Sequence, residues 1–102
     1  MSEREQCWVI HNEPVEPPPK IALSPQQLTE RHHQFIHDLE AKGLLVGAGP
    51  FLDDIGNRFG TGMIIFRAAT RAEAEKIANS EPYIANGTRR LKLVPWQRVA
   101  GR

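Results

Sequence analysis

Three histidines lie close together in one segment of the chain, and the residues around them single out one. The segment 24–42 has the spacing of an amphipathic helix with its large apolar residues on one stripe. That stripe contains Leu28, Phe35, Ile36 and Leu39. His32 fills the missing place in the stripe, whereas His33 and His37 lie away from its middle. Because an imidazole changes charge near neutral pH, an inward-facing His32 is a candidate acid, base or ligand.

A histidine base needs a carboxylate that holds one of its ring nitrogens and fixes the tautomer. Glu81 is the candidate partner, since it follows the second predicted helix and the end of that helix can approach the middle of the first. The other carboxylates near His32 in sequence are expected to face solvent: Glu30, Asp38 and Glu40. Each member of the pair also has a purely structural interpretation. His32 can be a core histidine bonded to backbone, and Glu81 a solvated residue that starts a turn.

Other chemistries have weaker support in the sequence. His33 and His37 have the i, i+4 spacing that can share a divalent ion, but the His-Glu-x-x-His order is absent, which favours a solvated helix face. Cys7 begins a predicted strand without a basic neighbour, and the glycine-rich stretch 47–50 follows no phosphate-loop pattern. The central strands carry mainly aliphatic residues, unlike an RNA-recognition sheet. We therefore expect no metal, no cofactor and no nucleic-acid partner.

Composition limits the class of protein. The chain has 102 residues, enough for one domain with a modest core. Its formal net charge is +1, so no strong field favours nucleic acid or an anionic membrane. Cys7 is the only cysteine, which excludes an intramolecular disulfide and is typical of the cytoplasm. Without an apolar run of signal-peptide or membrane-spanning length, the chain is expected to be one cytoplasmic domain, 1–102, with a flexible start at 1–6.

The expected elements follow the order β-α-β-β-α-β. The strands are expected at 7–11, 44–48, 60–66 and 91–96, and the helices at 24–42 and from Thr70 to near Ser80. Ser24 and Gln27 can form a capping box, as can Thr70 and Glu73. Gly43 is placed to end the first helix. This order predicts an α+β, ferredoxin-like fold in which two helices cover one face of a four-stranded antiparallel sheet.

Prolines mark three further boundaries in this pattern. Gly49-Pro50 is expected to end the second strand, and Pro95 indicates a strand at the sheet edge. The Pro-rich segment 12–23 cannot form a helix or a central strand, so an extended surface loop is expected there. The loop is either a plain connector or a functional segment, such as a lid over a pocket or an arm that reaches a partner.

The sheet face opposite the helices is also predicted to be apolar. Met63-Ile64-Ile65-Phe66 is apolar at four consecutive positions, and neighbouring side chains in a strand point to opposite faces. A second copy of the chain is the simplest cover for the exposed face, so we expect a homodimer whose sheets pack face to face.

The whole chain resembles the YCII-related domain family, small proteins of the dimeric α-β barrel class. The resemblance runs from Cys7 to Val99. Its residues, in order, are His32, Phe35, Leu39, Gly43, the run 44–50, the strand 60–66, Ala72-Glu73-Ala74, Glu81-Pro82-Tyr83, Gly87 and Val94-Pro95-Trp96. The resemblance implies a ferredoxin-like dimer with an active site built on a histidine and an aspartate. His32 matches the family histidine, whereas Glu81 stands where the family usually has aspartate.

The resemblance also extends to a dehydrochlorinase that acts on a chlorinated hydroxyquinol, and related dimeric barrels include isomerases and cofactor-free monooxygenases. By this analogy the substrate is a small ring compound or acid. The first functional hypothesis is therefore a cofactor-independent lyase or isomerase in which His32 moves a proton and Glu81 orients it. Tyr83, Arg67 and Arg31 are candidate ligand contacts. The alternatives are a non-catalytic ligand-binding or accessory module, and an assembly role for the proline loop, which differs from the short first loop of typical members.

Overall fold

A computed structural model describes residues 5–101, which form four strands and three helices. In chain order they are β1 (Glu5–Pro14), α1 (Pro25–Ala41), β2 (Leu45–Leu52), β3 (Arg58–Phe66), α2 (Arg71–Asn79), α3 (Pro82–Ala85) and β4 (Arg89–Arg98). The strands form one antiparallel sheet in the order β2-β3-β1-β4. This is the predicted α+β, ferredoxin-like architecture, with the short helix α3 as an addition. No helix among the described residues is long and apolar enough to span a membrane.

The helices begin and end where local side chains satisfy their free backbone groups. The Ser24 hydroxyl accepts from the Gln27 amide, and the Gln27 side chain accepts from the Ser24 amide, so the predicted capping box is complete. Gly43 follows α1 with φ +74°, a conformation that favours glycine. Before α2, the Thr70 hydroxyl accepts from the Glu73 amide, but the Glu73 carboxylate accepts from Ala69 instead of closing the box.

The core lies between the helices and one face of the sheet. Alternate residues of the central strands point toward the helices, among them Trp8 and Ile10 of β1 and Phe66 of β3. They pack against Leu39 of α1 and against Ala78 of α2. Because α1 and α2 pack on the same face of the sheet, the end of α2 lies beside α1. The predicted pairing of His32 with a later carboxylate requires this placement.

Two strands extend beyond the boundaries expected from their prolines. The expectation that Gly49-Pro50 ends β2 was wrong, since the strand continues to Leu52. An edge strand tolerates a missing amide donor, and β2 lies at the sheet edge. Likewise β1 runs through Pro14, which pairs with Arg89 of the edge strand β4, so the Pro-rich loop begins later than expected. Pro95 lies in β4, and its predicted place on an edge strand is confirmed.

The start of β1 is fixed by ion pairs. The Glu5 carboxylate contacts the Arg67 guanidinium and lies 2.9 Å from Nη2 of Arg98. The hydrogen bond from Arg67 holds the pKa of Glu5 below its usual value, although burial opposes that shift. Residues 5 and 6 are therefore ordered in a strand, contrary to the expectation of a flexible segment 1–6. Residues 1–4 of that segment lie outside the described residues.

The sheet face away from the helices is apolar at its centre. Val9 pairs with Ile65 on one side and with Val94 on the other, and all three point away from the core. Val94 and Trp96 are 37% and 39% exposed. The homodimer that the sequence predicts buries this face, and it stays a prediction.

The dimer prediction can be tested by placing a charge on this face. Because Val94 pairs with Val9 at the centre of the apolar patch, Val94→Glu is expected to shift the protein from dimer to monomer, as a carboxylate there must be desolvated on association. Light scattering coupled to size exclusion measures the mass. Ala72→Glu on the exposed surface of α2 is the control and should leave the dimer unchanged. A monomeric unmodified protein at micromolar concentration contradicts the prediction.

Candidate functional site

The structure brings His32 and Glu81 together. His32 lies in the middle of α1, and Nδ1 of its ring is 2.6 Å from Oε2 of Glu81. The His32 side chain is 22% exposed, whereas the Glu81 side chain is completely buried. A charged carboxylate accepts hydrogen bonds only, so Nδ1 is the nitrogen that carries the proton in this contact. The other ring nitrogen, Nε2, has no hydrogen-bond partner in residues 5–101.

Glu81 is held in place by the backbone of α3. It is the N-cap residue of that helix, and its Oε1 accepts from the Ile84 amide at 3.1 Å. Pro82 follows at the first helical position, where proline is favoured because no amide donor is needed there. One carboxylate oxygen therefore caps α3, while the other orients the His32 ring. The family resemblance implies aspartate here, and the longer glutamate still reaches His32.

The Tyr83 ring also lies beside His32. The two rings are 4.9 Å apart between centroids, and the Tyr83 hydroxyl is 3.0 Å from Oγ1 of Thr29. Because Thr29 precedes His32 by three residues on α1, this contact ties α3 to the same helix face. α3 is thus docked on α1 through two polar contacts, one to each of these α1 residues.

His32 and Tyr83 line a cavity of about 420 Å³ between α1, the β2–β3 hairpin and the start of β4. Its wall is formed by Asn12, Thr29, His32, His33, Ile36, Ala48, Gly49, Pro50, Arg58, Gly60, Thr61, Gly62, Met63, Ile64, Tyr83 and Arg89. This size accommodates a small organic molecule. The wall includes aliphatic side chains and imidazole, hydroxyl and guanidinium groups, but no Asp or Glu among the described residues.

The remaining predicted ligand contacts lie elsewhere. Arg67 binds Glu5 and donates to the carbonyl oxygens of Gly43 and Leu45, so its charge is used in the framework. Arg31 is exposed on α1 and does not line the cavity. His33 lines the cavity beside His32.

Neither metal binding nor a nucleophilic cysteine has support in the geometry. Within residues 5–101, no group of three or more His, Cys, Asp or Glu side chains is arranged to hold a metal ion. Cys7 is fully buried, and burial raises the pKa of its thiol. A protonated thiol is a poor nucleophile.

Asn12 and Arg89 are among the polar wall residues that the sequence analysis missed. Nη1 of Arg89 donates to Oδ1 of Asn12 at 2.9 Å, and the Arg89 guanidinium lies over the Tyr83 ring at 4.5 Å. Strand alternation offered the signal, since Asn12 is two residues after the buried Ile10 and Arg89 two residues before Leu91. Both positions were assigned to loops because the strands were expected to be shorter.

A second cavity of about 430 Å³ adjoins the first and shares three wall residues with it: Thr29, Tyr83 and Arg89. The rest of its wall includes Pro19, Ile21 and Leu23 of the Pro-rich segment. That segment therefore packs beside the candidate site.

The chain belongs to the YCII-related domain family, whose model matches residues 8–97. It is similar to the uncharacterized protein YjpA of Bacillus subtilis (strain 168), with 29% identity over 72 residues that cover 71% of this chain and 79% of that protein. In fold it is similar to a 5-chloro-2-hydroxyhydroquinone dehydrochlorinase, TftG, from Burkholderia phenoliruptrix AC1100, in complex with 2,5-dihydroxybenzoquinone. That likeness has a TM-score of 0.57 and 17% identity, and it covers 88% of this chain and 92% of the other.

Truncation of Glu81 tests its double role in the framework. Glu81→Ala removes the cap of α3 and leaves the His32 Nδ1–H group without its partner, so unfolding is expected to require about 2–4 kcal/mol less free energy. Glu81→Gln keeps an oxygen for the Ile84 amide and should lose less than half as much. Urea denaturation measures both changes.

Glu75→Ala is the control, since Glu75 is exposed and pairs only with Arg71 at the surface. Its effect is expected to be small. If Glu81→Ala loses no more free energy of unfolding than Glu75→Ala, the buried carboxylate does not stabilise the fold.

Proposed function

We propose that the protein is a small cofactor-independent enzyme that transfers a proton on a ring compound or small acid, in a lyase or isomerase reaction. The observation that carries the proposal is the His32–Glu81 hydrogen bond at the wall of an open cavity. A histidine in the cavity wall with a fully buried carboxylate behind it is an arrangement suited to a general base. A purely structural histidine is expected to bond only to backbone, whereas Nδ1 of His32 bonds to a buried carboxylate.

The proton moves through Nε2 of His32 in this proposal. Because Glu81 holds the proton of Nδ1, Nε2 keeps its lone pair and can remove a proton from a carbon next to a carbonyl or phenol group. The electrons of the broken C–H bond move toward that oxygen. An isomerase then returns the proton from Nε2 to a different carbon, whereas a lyase expels a leaving group from the adjacent carbon.

Glu81 acts through His32 and does not touch the substrate. It is completely buried and absent from the cavity wall, so it positions the ring and stabilises the imidazolium that forms when Nε2 takes up a proton. Tyr83 lines the cavity beside His32, and in the proposal its hydroxyl, which contacts Oγ1 of Thr29, also hydrogen-bonds a ligand oxygen. The proposal therefore gives the two residues separate tasks.

The similar dehydrochlorinase supplies a starting point for the substrate class. That protein acts on a chlorinated hydroxyquinol and was captured with a dihydroxybenzoquinone. At 17% identity the likeness concerns the fold, so the ring compound is an analogy for the first assays. The alternative of a non-catalytic ligand-binding module uses the same cavity, and the cap that Glu81 provides for α3 fits it equally well. The hydrogen bond to Nδ1 of His32 is the feature that favours a base.

Replacement of His32 tests the proposal. Turnover is measured as chloride release from 5-chloro-2-hydroxyhydroquinone and as deuterium exchange in D2O into a panel of small ring ketones, phenols and keto acids. His32→Asn is expected to lower the rate on any active substrate by about 10²- to 10⁴-fold, the usual contribution of a general base. Glu81→Gln should also be slow, because its amide donates to Nδ1 and so moves the ring proton to Nε2.

His37→Asn is the matched control, since His37 lies on the same helix and does not line the cavity. It should retain the rate of the unmodified protein. Equal rates for His32→Asn and His37→Asn contradict the proposal, as does the lack of chloride release or exchange across the whole panel.

A further inference from the structure

Arg89 is a partly buried cation in the cavity wall that has no carboxylate partner among residues 5–101. Arg31, Arg58 and Arg90 also lack such a partner, but they are exposed to solvent. Three other arginines of the described chain have a carboxylate partner. Arg67 and Arg98 share the Glu5 carboxylate, and Arg71 pairs with Glu75. Withdrawing a guanidinium from water without a counterion is unfavourable, so an unpaired arginine at a cavity is a sign that a ligand supplies the negative charge.

The guanidinium of Arg89 is held in place before any ligand binds. Its Nη1 donates to Oδ1 of Asn12, which is only 3% exposed, and its plane lies over the Tyr83 ring at 4.5 Å. One of its five N–H groups is used in this way, and the others have no partner in the described part of the chain. A fixed guanidinium loses little conformational freedom on binding, which favours affinity.

The charge of the cavity wall has one sign. Besides Arg89 it includes Arg58, with no carboxylate among the described wall residues. The nearest carboxylate in the site, Glu81, is buried and already bonded to His32. The field inside the cavity therefore favours an anion over a neutral or cationic ligand.

We propose that Arg89 binds the carboxylate of a small ring compound in this cavity. Two parallel N–H groups of a guanidinium match the two oxygens of a carboxylate, and this geometry favours a carboxylate ligand. The Tyr83 ring contacts both the His32 ring, at 4.9 Å, and the Arg89 guanidinium, at 4.5 Å. The base and the anchor thus contact the same aromatic side chain, and this proximity suits a single-ring acid.

This inference deepens the proposed function and rests on it in treating the bound acid as a substrate. Binding of the acid can be measured without turnover. Arg89 holds the carboxylate at one end of the ligand, and the carbon that loses its proton lies toward His32. Positioning of this kind makes the reaction with the base effectively intramolecular.

The experiment compares an acid with its neutral amide. Isothermal titration calorimetry with salicylate and salicylamide is expected to show tighter binding of salicylate to the unmodified protein. Arg89→Gln should weaken salicylate binding by about tenfold or more, the effect of losing a charge-assisted contact, and should bring the two ligands to similar affinity. Arg89→Lys keeps the charge but not the paired donors, so its affinity for salicylate should lie between those of the unmodified protein and Arg89→Gln.

Arg90→Gln is the matched control. Arg90 is the next residue of β4, is exposed and points to the opposite face of the sheet, so the same loss of charge there should leave salicylate binding unchanged. Thermal unfolding of each variant without ligand shows whether the fold is retained. If Arg89→Gln does not fold, the Arg89→Lys variant and the acid–amide comparison decide the question.

Three results overturn the inference: equal affinity of the unmodified protein for acid and amide, salicylate affinity unchanged by Arg89→Gln, or no salicylate binding by the unmodified protein. These outcomes are distinguishable from failure of the proposed function. If salicylate binding depends on Arg89 but turnover does not depend on His32, the proposed enzyme function is wrong and the anion site is retained. If turnover depends on His32 but salicylate binding does not depend on Arg89, the general base is retained and the anion site is wrong.

Discussion

The rest of the site depends on one buried carboxylate. Glu81 has no access to solvent, and each of its two oxygens has a different donor, the Ile84 amide and the His32 ring. A buried carboxylate is tolerated only when its oxygens are paired, so the position of α3 and the orientation of His32 are determined together. Tyr83 follows from the same arrangement, because it belongs to the helix that Glu81 caps. In this chain one glutamate side chain therefore contacts both helices.

The cavity separates two kinds of charge. Its wall carries imidazole and guanidinium groups, while the carboxylate that balances His32 is hidden behind the ring. In the proposed reaction, negative charge that develops on a substrate oxygen faces the guanidinium groups, and the carboxylate stabilises the imidazolium. The Tyr83 ring contacts both His32 and Arg89, so the proposed base and the proposed anchor meet at one aromatic side chain.

Local patterns in the sequence were sufficient for the fold and for half of the site. Helix periodicity placed His32 on the inner side of α1, and capping residues located both long helices because these signals act within a few residues. The contact of Glu81 with His32 depends on how α3 docks against α1, which is a non-local event that spacing alone only suggests. Pro50 was misjudged for a related reason, since a strand tolerates proline only at an edge and edge position is a property of the whole sheet. Arg89 was missed because pairing with β1 extends β4 beyond its apolar residues.

The central claim is that Glu81 fixes the His32 tautomer and leaves Nε2 free to act as a base. Long-range proton–nitrogen NMR of the histidine rings measures this directly, because protonated and unprotonated ring nitrogens have distinct shifts. With the ring neutral, the account predicts that His32 carries its proton on Nδ1, and that Glu81→Gln moves it to Nε2. A His32 ring protonated on Nε2 in the unmodified protein contradicts the account.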